Sequence, residues 1–162
     1  MIQVKESGGG IRKLTLGWAE SPRSRPEGVK PMTRDEGAVH VAGTAVVDDD
    51  PDVLDSMRCL FEAAGEEVRT YSSAAAFLAD EAARPDCIIL DQHMPRMTGL
   101  ELAARLREAG VGVPMLLVTG SFSAAVAARA AALGIEAVLE KPPAAEALLR
   151  FAASHRRCGF VC

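Results

Sequence analysis

The chain has 162 residues, 49% of them hydrophobic and 25% charged, which suits one ordinary domain with residues to spare. Its formal charge of −4 is uneven: residues 1–43 carry seven Lys/Arg against five Asp/Glu, residues 44–162 eleven against seventeen. The acidic portion disfavours direct binding to a nucleic-acid backbone, and without a bilayer-length apolar run or a basic-then-apolar leader a cytoplasmic protein is expected.

Residues 1–43 combine Gly8-Gly9-Gly10, scattered charges, Pro22, Pro26 and Pro31 without sustained apolar periodicity, and are expected to be mostly a disordered extension. Ile11, Leu14, Leu16 and Trp18 are the candidates there for a short strand or docking patch, and Met32 leaves a later start open. From Thr44 short aliphatic runs alternate with Ala- and Leu-rich stretches of helical period. Thr44-Ala45-Val46-Val47 reads as a strand ending in Asp48-Asp49-Asp50, and Val53, Leu54, Met57, Leu60, Phe61 and Ala64 as the stripe of a helix stopped by Gly65. Glu67 to Thr70 is a second strand, Ser72 or Ser73 caps a helix to about Ala83, and Cys87 to Leu90 is a buried strand with Asp91 at its end. A third helix follows through Leu100, Leu102, Ala103, Leu106 and Ala109, then a strand over Val113–Val118 ending in Thr119. The last units are a helix over about Ser123–Leu133, a strand over Ala137–Leu139, and a helix from near Pro143 to His155.

Repeated β-α units require parallel strands with right-handed crossovers, hence an α/β fold with an open, doubly wound sheet and helices on both faces. The domain is assigned to residues 44–157 and a short tail to 158–162. Cys59 and Cys87 fall in apolar stretches and read as small hydrophobes, and Cys158 and Cys162 as thiols at a frayed end rather than half a metal site.

Ligands of such sheets bind at the carboxyl ends of strands, which here carry Asp48-Asp49-Asp50, Asp91, Thr119 and Glu140-Lys141. Asp50 before Pro51 suits a helix cap, but capping takes one carboxylate, and Asp48 and Asp49 repel each other without a cation. All-oxygen ligands favour Mg²⁺. Asp91 closes a buried strand and needs its charge compensated, by a cation shared with Asp49 and by the Lys141 ammonium. Thr119 is placed either to cap the next helix or to bond a phosphoryl oxygen.

These residues, over about Thr44 to Arg157, resemble the receiver domain of two-component response regulators. The resemblance rests on Asp48-Asp49 after Val46-Val47, on Leu90-Asp91-Gln92-His93-Met94-Pro95-Arg96-Met97-Thr98-Gly99-Leu100, on Val118-Thr119-Gly120 and on Glu140-Lys141-Pro142, and is strongest toward the FixJ-like class. It implies a flavodoxin-like five-stranded parallel sheet in order 2-1-3-4-5. Asp91 would be the phosphoacceptor, served by a sensor histidine kinase or phosphotransfer protein, with Thr119 and Lys141 completing the catalytic set. Mg²⁺ would be held by Asp48, Asp49, Asp91 and the backbone carbonyl of His93. Such a domain is a signalling domain rather than an enzyme, one that assists its own phosphorylation and dephosphorylation. The side chains of His93 and Ser121 would line the water route to the phosphoryl group and tune its lifetime.

The sequence departs from the family where Val138 stands in place of the Tyr or Phe three residues before the lysine, so the usual aromatic swing is absent. The chain ends soon after the last helix, so a stand-alone receiver with an output protein of its own is expected, rather than a complete transcription factor. Leu148, Leu149 and Phe151 offer either an apolar side for a homodimer or output partner, or packing on the chain's own sheet. Three rivals compete: a pseudo-receiver acting only through its surfaces; a haloacid-dehalogenase-type enzyme, opposed by His93 where a second aspartate is wanted; and a dinucleotide-binding module, opposed by aspartates where a glycine-rich turn is needed.

Overall fold

A computed structural model describes residues 3–7, 11–15 and 43–156. The elements are β1 (Gln3–Ser7), β2 (Ile11–Thr15), β3 (Thr44–Val47), α1 (Pro51–Ala63), β4 (Val68–Tyr71), α2 (Ala74–Ala79), β5 (Cys87–Asp91), α3 (Gly99–Glu108), β6 (Met115–Thr119), α4 (Ala124–Ala132), β7 (Ala137–Glu140) and α5 (Ala145–His155). Five strands, β4-β3-β5-β6-β7, are parallel and form the expected 2-1-3-4-5 order. β3, β5 and β6 are buried along their whole length, which is why they read as continuous aliphatic runs rather than alternating ones.

The strands still alternate between two cores. Ala45, Val47, Ile88, Leu90, Met115, Leu117 and Val138 pack on one side with Phe77 of α2, Leu102 and Leu106 of α3, and Ala130 of α4. Val46, Cys87, Ile89, Leu116, Val118 and Leu139 pack on the other with Leu54, Met57 and Phe61 of α1, and Leu148 and Phe151 of α5. The apolar residues of α5 therefore serve the chain's own sheet, with Leu149 also packed against that core, and this removes the exposed apolar side as an argument for a dimer.

Local signals set the helix boundaries. Asp50 Oδ1 accepts from Asp52 N at 2.9 Å with Pro51 in the first turn, and Gly65 at φ 72° ends the turn after α1. Thr98 and Glu101 form a reciprocal capping box on α3. At the far end of α3, Arg107 donates to four carbonyl oxygens: Val111 and Val113 before β6, and Leu133 and Gly134 before β7.

The structure departs from the sequence reading in three places. Helix α2 stops at Ala79 rather than near Ala83, because Asp80 leaves helical geometry (ψ 83°), accepts from Tyr71 Oη at 2.8 Å and turns its other oxygen to Ala82 N. Cys59 is exposed, since the inward stripe of α1 is Leu54, Met57 and Phe61; of these two cysteines Cys87 is the core thiol, and burial pushes its pKa up to about 11. Within the stretch read as a loose extension, Gln3–Ser7 and Ile11–Thr15 are strands, the short-strand alternative raised for Ile11 and Leu14. What supplies their order is tertiary: β2 pairs antiparallel with the outer side of β7, and β1 with β2. Leu16, Trp18, Met32, Cys158, Cys162 and the tail at 158–162 lie outside the described residues. Among the described residues no helix is long and apolar enough to cross a membrane.

Candidate functional site

The polar strand ends meet at one edge of the sheet, where β3 and β5 lie side by side in register and their connections leave to opposite faces. Asp48 follows β3 directly. Its Oδ1 accepts from Asp50 N at 2.9 Å, a local turn that aims the carboxylate back over the sheet, and only 4% of the residue is exposed. Asp49 is exposed, and Asp91 ends β5 at 3% exposure. One carboxylate oxygen from each of the three lies within 4.8 Å of the others, the one such cluster of potential metal ligands among the described residues.

Among the described residues, one cation is paired with this group. Lys141 Nζ is 3.0 Å from Asp91 Oδ1 and 3.3 Å from Asp48 Oδ2. The lysine is positioned from its backbone, for Lys141 N donates to Thr119 O at 2.8 Å. Burial and the neighbouring Asp91 outweigh the Asp50 amide and the ammonium, so the Asp48 carboxyl sits above its ordinary pKa. For Lys141, desolvation is overcome by its close approach to Asp91 and the attraction of both carboxylates, and its pKa is raised. Asp91 Oδ1 is wholly buried, with the ammonium close by but no well-aligned hydrogen bond. Three carboxylates against one ammonium leave a deficit of positive charge in a half-enclosed, all-oxygen site, a donor set that suits a hard divalent cation such as Mg²⁺. An apolar cavity of about 320 Å³ opens beside it, lined by Val46, Val53, Met57, Val118 and Pro143 among others.

The remaining sequence candidates are near but differently engaged. Thr119 is buried and its hydroxyl closes a turn with Ser121, donating to Ser121 O at 3.1 Å and accepting from Ser121 N at 3.2 Å. Ser121 and His93 are exposed. Val138 is wholly buried in the core beneath α4, where Ile135 and Ala130 also lie.

Two residues that sequence reasoning passed over shape the site. Gly99 packs against the acceptor strand so closely that a Cβ would meet Asp91 O at 2.5 Å. Gln92 ties the acceptor to α3, its backbone O accepting from Gly99 N and its Oε1 from Leu100 N. The signal for Gly99 was its place directly after the Thr98 cap, where a small residue lets a helix start against a strand. Gln92 carried none.

Residues 44–153 match the family model of the response regulator receiver domain. Response regulator protein TmoT of Ectopseudomonas mendocina is 36% identical over 105 residues, covering 64% of this chain and 48% of that protein. The transcriptional regulatory protein FixJ of Azorhizobium caulinodans is 39% identical over 100 residues, covering 60% and 46%. The chain thus spans about half the length of the curated relatives it matches. Among solved structures, the chemotaxis protein CheY4 of Vibrio cholerae aligns with a TM-score of 0.63 at 32% identity, covering 67% of this chain and 93% of that one. Response regulator StyR aligns at 0.65 and 32%, covering 71% and 59%.

Proposed function

This chain belongs to the response regulator receiver family, and from that premise we propose that Asp91 accepts a phosphoryl group from a phosphohistidine on a sensor kinase or phosphotransfer protein. The observation that carries the reading is the Asp48-Asp49-Asp91 cluster with Lys141 Nζ 3.0 Å from Asp91. A pseudo-receiver has no use for two costly buried carboxylates, Asp48 and Asp91, side by side.

In the proposed reaction one Asp91 oxygen attacks phosphorus, the N–P bond to the donor imidazole breaks as the O–P bond forms, and a mixed anhydride results. The nucleophile is a carboxylate oxygen rather than a hydroxyl, so no general base is needed and the chain contributes position and charge. Lys141 holds the acceptor carboxylate and faces the charge that develops on the phosphoryl oxygens. Thr119 leaves its turn with Ser121 to donate its hydroxyl to a phosphoryl oxygen. Asp48, Asp49 and Asp91 would hold Mg²⁺ together with the His93 carbonyl. Held there, the ion would supply positive charge to offset the carboxylates and the charge that develops during transfer.

Hydrolysis returns the carboxylate and releases phosphate, and exposed His93 and Ser121 stand at the water side of that step. With Val138 fixed in the core, the output differs from one built on a swinging aromatic ring. The proposal extends to a signalling unit over residues 44–157 that acts in the cytoplasm through protein contacts, as a stand-alone receiver and without direct binding of nucleic acid.

Incubation with acetyl phosphate and Mg²⁺ tests the reading by intact mass. One added phosphoryl group in the wild type, absent in Asp91→Ala and abolished by chelator, is expected. A folded wild-type protein that gains no mass under any donor would transfer the case to the pseudo-receiver. Substituting His93 or Ser121 should change the decay rate of the phosphorylated form.

A further inference from the structure

Helix α3 begins on four amides that its own turns cannot satisfy, and their partners are of two kinds. Thr98 N donates to Glu101 Oε2 at 2.8 Å and Glu101 N to Thr98 Oγ1 at 3.2 Å, the two halves of the capping box. The other two amides are satisfied by one residue across the loop: Gly99 N donates to Gln92 O at 3.2 Å and Leu100 N to Gln92 Oε1 at 3.1 Å. Gln92 N is itself tied to β6, donating to Val118 O at 2.8 Å. One residue therefore joins the end of the acceptor strand to the first turn of α3.

That closure fixes both ends of the loop from His93 to Thr98, and the middle is held as well. Met94 is buried in the core that α2 and α3 cover, and Met97 N donates to Pro95 O at 2.8 Å. Arg96 between them stands at φ 69°, a left-handed conformation that a non-glycine residue keeps only where its surroundings impose it.

We propose that Gln92 is a positioning residue for the metal site, and that the loop it closes makes this site selective for Mg²⁺ over Ca²⁺. The inference rests on the reading of Asp48, Asp49 and Asp91 as ligands of a divalent cation, joined by the His93 carbonyl, and does not depend on phosphoryl transfer. Asp48 and Asp49 follow β3 and Asp91 ends β5, whereas the carbonyl belongs to the loop, so the loop sets where that carbonyl stands relative to the carboxylates. Mg²⁺ demands near-octahedral geometry at short distances, while Ca²⁺ takes more oxygens in looser arrangements. A loop fastened at both ends and in its middle meets the first demand. Released at Leu100 N, it relaxes toward the second.

NMR titrations of the full chain with Mg²⁺ and with Ca²⁺ test this against two variants. Gln92→Met keeps the size of the side chain and loses the acceptor; Gln92→Glu keeps an acceptor oxygen. In Gln92→Met the Kd for Mg²⁺ should rise about tenfold while that for Ca²⁺ changes by less than about threefold. Gln92→Glu, whose added charge acts on both cations alike, should keep the wild-type ratio of the two constants. A structural role alone would lower Tm and leave that ratio as it is. The wild type supplies a second reading: before any metal is added, the Gly99 and Leu100 amides should exchange at least about tenfold more slowly than in an unstructured chain. Amides protected only once Mg²⁺ is present, a ratio unchanged in folded Gln92→Met, or a ratio lost equally in Gln92→Glu would overturn the role of Gln92. A wild type with no saturable response to Mg²⁺ would overturn the metal reading itself, and this inference with it.

Discussion

Gly99 and Asp48 show how closely single residues are fitted to the acidic site. A Cβ on Gly99 would lie 2.5 Å from Asp91 O and 2.8 Å from a methyl of Leu117, both on buried strands that cannot give way cheaply. Gly99→Ala is therefore expected to lower stability by about 1–3 kcal/mol in denaturant unfolding, and to slow phosphorylation by displacing the strand end that bears the acceptor. An unchanged midpoint would mean that α3 slides without cost. Asp48 presents the opposite case. Its pKa is raised by burial first and by Asp91 next, so its ionised form is disfavoured in the fold, a penalty present at neutral pH and relieved as pH falls through the raised value. Asp48→Asn keeps an oxygen for the Asp50 amide and should leave the metal-free protein as stable as the wild type or more so, by up to about 1 kcal/mol, while weakening its response to Mg²⁺. A clear fall in Tm without metal would show that the bridge to Lys141 matters more than the desolvation.

At the scale of the elements, the capping box of α3 has a pH signature. Hydrogen bonds from the Thr98 amide and hydroxyl hold the Glu101 carboxyl below its ordinary value. A depressed folded pKa stabilises above the unfolded value, near 4.5, and that contribution is lost as pH falls through the folded one. Glu101→Gln should flatten this part of the acid-unfolding profile and lower stability slightly at pH 7, where the carboxylate's contribution is fully present; a profile that keeps its acid slope would assign the dependence elsewhere. Most elements were legible because burial imposes a pattern: continuous aliphatic strands, three-and-four spacing on α1 and α3, and polar residues where strands emerge. The end of α2 was not, because Asp80 finds its partner in Tyr71 on the neighbouring strand, and pairing across elements leaves no local mark. Cys59 was misjudged for a related reason, since an apolar neighbourhood in sequence does not say which face of a helix a residue takes.

For the whole molecule, the convergence of Asp48, Asp91, Thr119 and Lys141 was legible because parallel strands of one sheet must place their carboxyl ends at one edge. The hairpin on β7 was not, because its order is supplied by an edge far away in sequence. The charge imbalance of the site has a global consequence: an ion that binds the folded cluster and not the unfolded chain stabilises the whole fold by mass action. Millimolar Mg²⁺ should raise the Tm of the wild type and have a smaller effect on Asp49→Asn, and equal shifts would detach the ion from this cluster. Arg107 carries the last consequence, a kinetic one. Its guanidinium is satisfied only when the chain entering β6 and the chain entering β7 are both in place, since its four acceptors come from these two connections. Contacts that need several segments at once form after the main barrier, so Arg107→Ala should accelerate unfolding while barely changing the folding rate, a φ-value near zero in stopped-flow chevrons. In that sense Arg107 sets the lifetime of the native state rather than the speed at which it is reached.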